Sequence, residues 1–284
     1  MMSYEILAVA WGKEDNYLHA NEGLELKLAE AAVVDAYERE EISRLLTLQD
    51  NIAVIEVKGG LTNRNSWYNK YFGLVSYDEI REAIYQAIGS GAGAILFDVN
   101  SPGGSVSGLN DIASVVSDVS VPTVTFTSGM MASAGYFFGS QADKVYADSF
   151  AEAGSIGVVV KMWDATEYNK KLGVKAIRFR SGDLKAVGSP DFKLTKREEQ
   201  HIKDQVMTYA GKFYQIVSDA RGMPLELMEK LEILTGKTFI GEELKRVNLV
   251  DDIKTFDQVL KEVYDLAEKE LDKRNRTDVK YFGK

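Results

Sequence analysis

The chain has 284 residues, 45% of them apolar, and a formal net charge of −9. That size suits one large domain with appended segments, and the apolar share excludes global disorder. The acidic balance, without a basic stripe, argues against a nucleic-acid partner, and the absence of cysteine excludes disulfides, thiolate metal sites and thiol nucleophiles.

The opening stretch Met1 to Gly12 lacks the basic, apolar and small-residue blocks of a signal peptide, and no apolar run reaches the length of a membrane span. A cytoplasmic protein without a membrane span is therefore expected. Leu24 to Leu46 is rich in Leu, Ala and Glu at helical spacing and reads as a long helix. Residues 1–50 are expected to form a helical arm.

The texture changes at Asn51. Ile52 to Val57 reads as a strand closed by Gly59-Gly60, and Leu61 to Leu74 as a loop. Ser76-Tyr-Asp-Glu79 is a capping box for a helix to about Ile88. Ala94 to Asp98 reads as a buried strand, Ser101-Pro-Gly-Gly104 as a turn, and Val106 to Val116 as a helix. Pro122 to Phe126 is a predicted strand, Ser128 to Ala132 a turn, and Ser133 to Gln141 a helix. Strands follow at Lys144 to Ala147 and Ile156 to Val160, a helix at Trp163 to Leu172, and a strand at Val174 to Phe179. Helices close the chain: Thr195 to Ala220, Pro224 to Leu231, Gly241 to Val247, and Phe256 to Leu271, the last read as a surface helix ahead of a frayed tail. No internal repeat stands out. Alternating strands and helices imply an α/β fold of parallel βαβ units.

Two turns that follow apolar strands carry candidate chemistry, because ligands in open α/β sheets sit beyond the carboxyl ends of the strands. Around Gly103-Gly104 the backbone can approach a ligand and offer free amides, the material of an oxyanion hole. In the second turn Ser133 is flanked by Ala132, Ala134 and Gly135. Those small neighbours let a helix start pack closely and present a hydroxyl. Taken alone, Ser133 also reads as an ordinary helix cap. A serine nucleophile needs a base. The two histidines, His19 and His201, sit among polar residues and read as surface positions. Lysine is then the candidate. Lys185 lies among Leu184, Ala186 and Val187 in a glycine-bounded loop, although a solvated loop lysine fits the same pattern. Ser155, just before an apolar stretch, can orient such a lysine or serve only the turn.

Together these blocks resemble the signal peptide peptidase A family, a branch of the ClpP/crotonase superfamily. The resemblance rests on Asp98-x-x-Ser-Pro-Gly-Gly104, Met131-Ala-Ser-Ala-Gly-Tyr136, Gly154-Ser-Ile-Gly-Val158 and Ser181-Gly-x-x-Lys-x-x-Gly-Ser-Pro190. Thr235-Gly-Lys-Thr-Phe-Ile-Gly241 and Asn248-Leu-Val-Asp251 extend it. It implies a ClpP/crotonase-like layered β-α spiral over residues 51–255, followed by a charged helix and tail at 256–284. It also implies a Ser/Lys dyad: Ser133 as nucleophile, Lys185 as base, Gly104 and Ala134 as oxyanion donors, and Ser155 orienting the lysine. No cofactor or metal is implied. The partners implied are a protein or peptide substrate and further copies of the chain in a ring, with Lys185 able to reach Ser133 of a neighbour. The stretch Ile52 to Arg64 resembles the phage branch of prohead or capsid-maturation proteases, which would place the protein in the host cytoplasm or procapsid interior. A bacterial signal-peptide-peptidase-like protease, an acyl-CoA enzyme of the crotonase type and a non-catalytic assembly subunit are the competing readings. The acyl-CoA reading needs carboxylates near the site, where the sequence offers only Glu152.

Overall fold

A computed structural model describes residues 6–9, 43–66 and 68–282. The N-terminal helix expected over residues 24–46 lies outside them up to residue 42. Its predicted end is corrected, because residues 43–45 form a turn and Leu46 begins a strand.

Among the described residues, three sheets build the fold. The elements in chain order are β1 (Ile6–Val9), β2 (Leu46–Gln49), β3 (Ile52–Lys58), β4 (Gly60–Thr62), β5 (Leu74–Ser76), α1 (Tyr77–Gly89), β6 (Ala94–Asn100), β7 (Gly103–Ser105), α2 (Leu109–Ser117), β8 (Thr123–Thr127), β9 (Met130–Ala132) and α3 (Ala134–Gly139). They continue with β10 (Lys144–Ala147), β11 (Glu152–Gly154), β12 (Val159–Val160), α4 (Thr166–Lys171), α5 (Lys196–Arg221), α6 (Leu225–Lys230), β13 (Thr238–Ile240), α7 (Glu242–Arg246), β14 (Asp252–Ile253) and α8 (Phe256–Phe282).

The main sheet runs β14-β10-β8-β6-β3-β2 and is parallel throughout except for β2. Its centre reads as continuous apolar sequence because both faces are covered. All five residues of β8 are buried, and so are the first four of β6. One face packs under α1, α2, α3 and α5 through Ile80, Ile84, Ile112, Val116, Phe138 and Phe213. The other face lies under α8, whose Val259, Val263 and Ala267 recur every four residues and are fully buried against Ile52, Leu96, Val124 and Phe126. The surface-helix reading of this segment is thereby corrected: a charged helix carries one core-forming stripe, and it runs through the predicted tail to Phe282.

The chain path repeats although the sequence does not. A main-sheet strand is followed by a short strand that leaves the sheet, and then by a helix: β3–β4–α1 (with β5 added before the helix), β6–β7–α2, β8–β9–α3. Since each main-sheet strand lies beside its predecessor, the path winds as the layered spiral expected of this α/β fold. The short strands gather into the sheets β12-β1-β7-β4-β5 and β13-β11-β9.

The capping box at Ser76 and Glu79 is present, and α1 ends one residue past the predicted end. The short strands are what sequence reading missed. Leu61 to Leu74 was expected as a loop but begins and ends in β4 and β5, and the turn at 128–132 contains β9. Two to four residues are too few for a period to show. The strand expected at Val174 to Phe179 does not form: the segment is irregular, with Val174, Ile177 and Phe179 exposed.

Candidate active site

Ser133 follows β9 and starts α3, at the carboxyl side of the main sheet. An ordinary N-cap serine has extended backbone and a hydroxyl bonded to an amide in the first turn. Ser133 has neither: its φ is 53° and ψ −119°, and no side-chain cap bond forms. The positive φ costs an L-residue about 1–3 kcal/mol. Its Oγ is buried and has no hydrogen-bond partner, which leaves a second unfavourable contribution of about 1–3 kcal/mol. Strain and an orphaned hydroxyl coincide on one residue at a sharp strand-to-helix turn, the geometry of a nucleophile elbow.

The elbow is tied to both neighbouring chains. The Ala132 amide donates to the Ser101 carbonyl at 3.0 Å, and the Ser133 amide to the Gly154 carbonyl at 2.8 Å. On the first side, the Ser101 amide donates to the Met130 carbonyl at 2.7 Å, and Asn100 Oδ1 accepts from the Met130 amide at 3.1 Å. Ser101 Oγ also accepts from the Gly103 amide at 3.1 Å, which shapes the turn. Gly104 comes next, and only glycine fits there, since a Cβ would lie 1.9 Å from the Leu61 carbonyl oxygen. Ala134 is buried and is the first residue of α3, so its amide has no partner within the helix. Gly135 rests on the same turn: a Cβ there would meet Ser101 Cβ at 3.1 Å and its carbonyl oxygen at 3.2 Å.

On the second side, β11 runs parallel to β9 and delivers Ser155 beside the elbow. Ser155 is buried, has a φ of 52°, and its amide donates to the Lys237 carbonyl at 2.9 Å. Ser133, Gly104, Ala134 and Ser155 are therefore brought to one place.

Lys185 is not brought there. It lies in the irregular stretch between α4 and α5 and is exposed, its amide bonded to the Gly182 carbonyl at 3.0 Å. It makes no hydrogen bond to Ser133 Oγ. The stretch is anchored by ion pairs instead. Arg180 Nη1 donates to Glu198 Oε1 at 2.6 Å, with Arg178 at 3.6 Å from the same oxygen. Glu198 is buried at the start of α5, where it forms a capping box with Thr195. Its carboxyl is held down to about 2, first by the Thr195 amide and then by Arg180.

Sequence reading passed over Asn100 and Ser101 as side chains that shape the site. For Ser101 the signal was present, since a Ser two residues before Gly bonds to a nearby backbone amide in turns; for Asn100 it was not, because its partner Met130 lies 30 residues on. It also missed the pairing of Arg178 and Arg180 with Glu198, which depends on how the chain folds back and has no local pattern. His201 lies on α5, away from these residues in the chain, and His19 is outside the described residues.

The model of peptidase family S49 matches residues 117–270, more than half of the chain. A "Putative protease" of Methanocaldococcus jannaschii is 31% identical over 175 residues, covering 61% of this chain and 56% of that protein. The "Putative signal peptide peptidase SppA" of Enterococcus faecium is 30% identical over 162 residues, covering 56% and 46%. "Capsid assembly protease C" of Escherichia phage lambda is 27% identical over 214 residues, covering 74% and 48%. The chain thus spans about half the length of these relatives.

Proposed function

The chain belongs to peptidase family S49, and from that premise we propose that it is a serine endopeptidase with Ser133 as nucleophile and Lys185 as general base. The observation that carries this reading is Ser133 itself: a buried hydroxyl without a partner, held in strained backbone at the elbow. In the proposed mechanism neutral Lys185 takes the proton from Ser133 Oγ, which attacks the scissile carbonyl. The amides of Gly104 and Ala134 hold the oxyanion, and the lysine returns its proton to the leaving amine. Water then releases the acyl group. Ser155 orients the lysine.

A lysine acts as base only where burial or a nearby cation favours its neutral form. Lys185 is exposed on the single chain. We therefore assign the base to a neighbouring copy in a ring, where the interface would cover it. Support comes from the stretch that carries it, since Leu172, Val174, Ile177 and Phe179 are all exposed and such an apolar band marks a protein interface.

The proposed substrate is a protein of an assembling phage head, with the site in the procapsid or host cytoplasm. Its support is the likeness to the lambda protein named as a capsid assembly protease. A signal-peptide-peptidase-like role is the second reading, favoured by the likeness to the Enterococcus protein. Among the described residues no helix is long and apolar enough to cross a membrane.

A fluorophosphonate probe tests the nucleophile: labelling of the wild type and none of Ser133→Ala is expected. Mixing tests the base. Ser133→Ala and Lys185→Ala should each be inactive, and their mixed oligomers should regain cleavage, because some interfaces then hold both intact residues. Undiminished cleavage by either single variant refutes the dyad, and no recovery on mixing refutes the shared site. N-terminal sequencing of products from coat protein and from signal peptides separates the two substrate readings.

A further inference from the structure

The sheet beside the elbow contains a strand of an unusual kind. β1 is four residues long and is inserted between β7 and β12, antiparallel to both. Leu7 pairs with Ser105 on one side and Val159 on the other, Ala8 pairs with Gly104, and Ile6 with Val160. β12 has two residues and, among the described residues, joins the sheet only through β1. Without β1, therefore, the edges of β7 and β12 would face each other across the width of one strand, roughly 10 Å, with their backbone groups unpaired.

Both walls of that slot connect directly to the elbow. β7 continues the turn of Ser101, whose carbonyl accepts the Ala132 amide, and it carries Gly104, the proposed oxyanion donor. β12 lies just beyond Ser155, and the carbonyl of Gly154 accepts the Ser133 amide. The elbow is thus bonded, through Ala132 and Ser133, to the two segments that lead into the walls of the slot, and a strand between those walls pairs with Gly104. Recognition here is by backbone pairing, the way an extended peptide adds to a sheet edge.

We infer that residues 6–9 are a built-in competitor: they occupy the slot that the substrate's extended segment must enter, so that the chain restrains its own site until this strand is displaced. The inference rests on the proposed peptidase function and adds to it the regulation of the site. Occupancy by the protein's own strand lowers the fraction of competent sites, and apparent substrate affinity falls by that fraction. If nine sites in ten are filled, freeing the slot raises kcat/KM about 10-fold.

The test uses the full chain with Leu7→Pro and, separately, Ala8→Pro. Proline removes an amide from β1 and cannot sit between two paired strands. Three readouts apply: cleavage of fluorescein-labelled casein, fluorophosphonate labelling of Ser133, and hydrogen exchange at the Val159 and Val160 amides. Expected are a rise in kcat/KM of about 10-fold or more, faster labelling, and loss of protection at the one of these two adjacent amides that points to β1. A synthetic peptide spanning residues 3–11 should inhibit the proline variants competitively and the wild type far less. Wild-type kinetics with unchanged protection in both variants, while Ser133 still labels, overturns the competitor and leaves the peptidase standing. Failure of every form to label Ser133 or cleave casein overturns both.

Discussion

Replacing Gly135 by alanine should separate stability from catalysis. A methyl group there would lie 3.1 Å from Ser101 Cβ, 3.2 Å from the Ser101 carbonyl oxygen and 3.4 Å from Ser101 Oγ. Non-bonded carbons prefer about 3.5–4.0 Å, so the start of α3 and the turn at 101 must part by roughly half an ångström. That overpacking costs on the order of 1 kcal/mol. Alanine also suits a helix better than glycine by up to about 1 kcal/mol, and the two effects nearly cancel. The melting temperature should therefore move by no more than about 2 °C, given roughly 2 °C per kcal/mol for a chain of this size. Catalysis has no such compensation, because the displacement falls between Ser133 and the proposed donor at Gly104. A 1 Å misplacement can cost about 100-fold, so half of that should lower kcat/KM roughly 10-fold. Calorimetry and casein cleavage on the same preparation measure both. Full activity in Gly135→Ala would refute the claim that this contact sets the distance between nucleophile and donor. A large fall in melting temperature would refute the cancellation.

Three further outcomes are expected. Glu198 has a depressed carboxyl in the folded protein, so its stabilising contribution is complete above about pH 4.3, the unfolded value, and is lost as pH falls towards about 2; acid unfolding of Glu198→Gln should lack this component, and limited proteolysis should cut its 173–195 stretch faster than in wild type. Tyr136 donates from its buried hydroxyl to the Leu249 carbonyl at 2.7 Å, so Tyr136→Phe should lose about 1–2 kcal/mol by urea denaturation, and an unchanged midpoint would count against that bond. Phe179 is 94% exposed on the single chain; Phe179→Asp should leave the chain folded, shrink the assembly in light scattering and abolish casein cleavage, whereas unchanged assembly would remove this side chain from the interface.

The longer elements and the chemistry-bearing turns could be read from the sequence for local reasons. Ser76 and Glu79 satisfy each other's amides within one helical turn, so four letters define that helix start. The buried strands at Ala94 and Thr123 are runs of apolar or β-branched residues, the glycines at 104 and 135 mark close approaches that the structure contains, and Gly103 has a φ of 104°. The role of α8 was hidden for a different reason. Nearly half of its residues are charged, and three buried residues among the 21 whose burial is described leave a weak stripe that gains meaning only once the open face of the sheet is seen.

What the sequence by itself determined was the class of fold and the pair of turns, because these depend on residue type and short spacing, while Ser133 stood out as a candidate nucleophile only through the family resemblance of the blocks around it. Tertiary structure decided the rest. At Ser133 it distinguished an ordinary cap from an elbow, since φ and the isolation of Oγ follow from the chains packed on either side. It showed that Lys185 stands exposed and unbonded to that hydroxyl. It also brought residues 6–9 between β7 and β12, close to a hundred residues from the first and farther from the second along the chain. Backbone pairing over such separations is blind to side-chain identity, so no pattern of letters announces it.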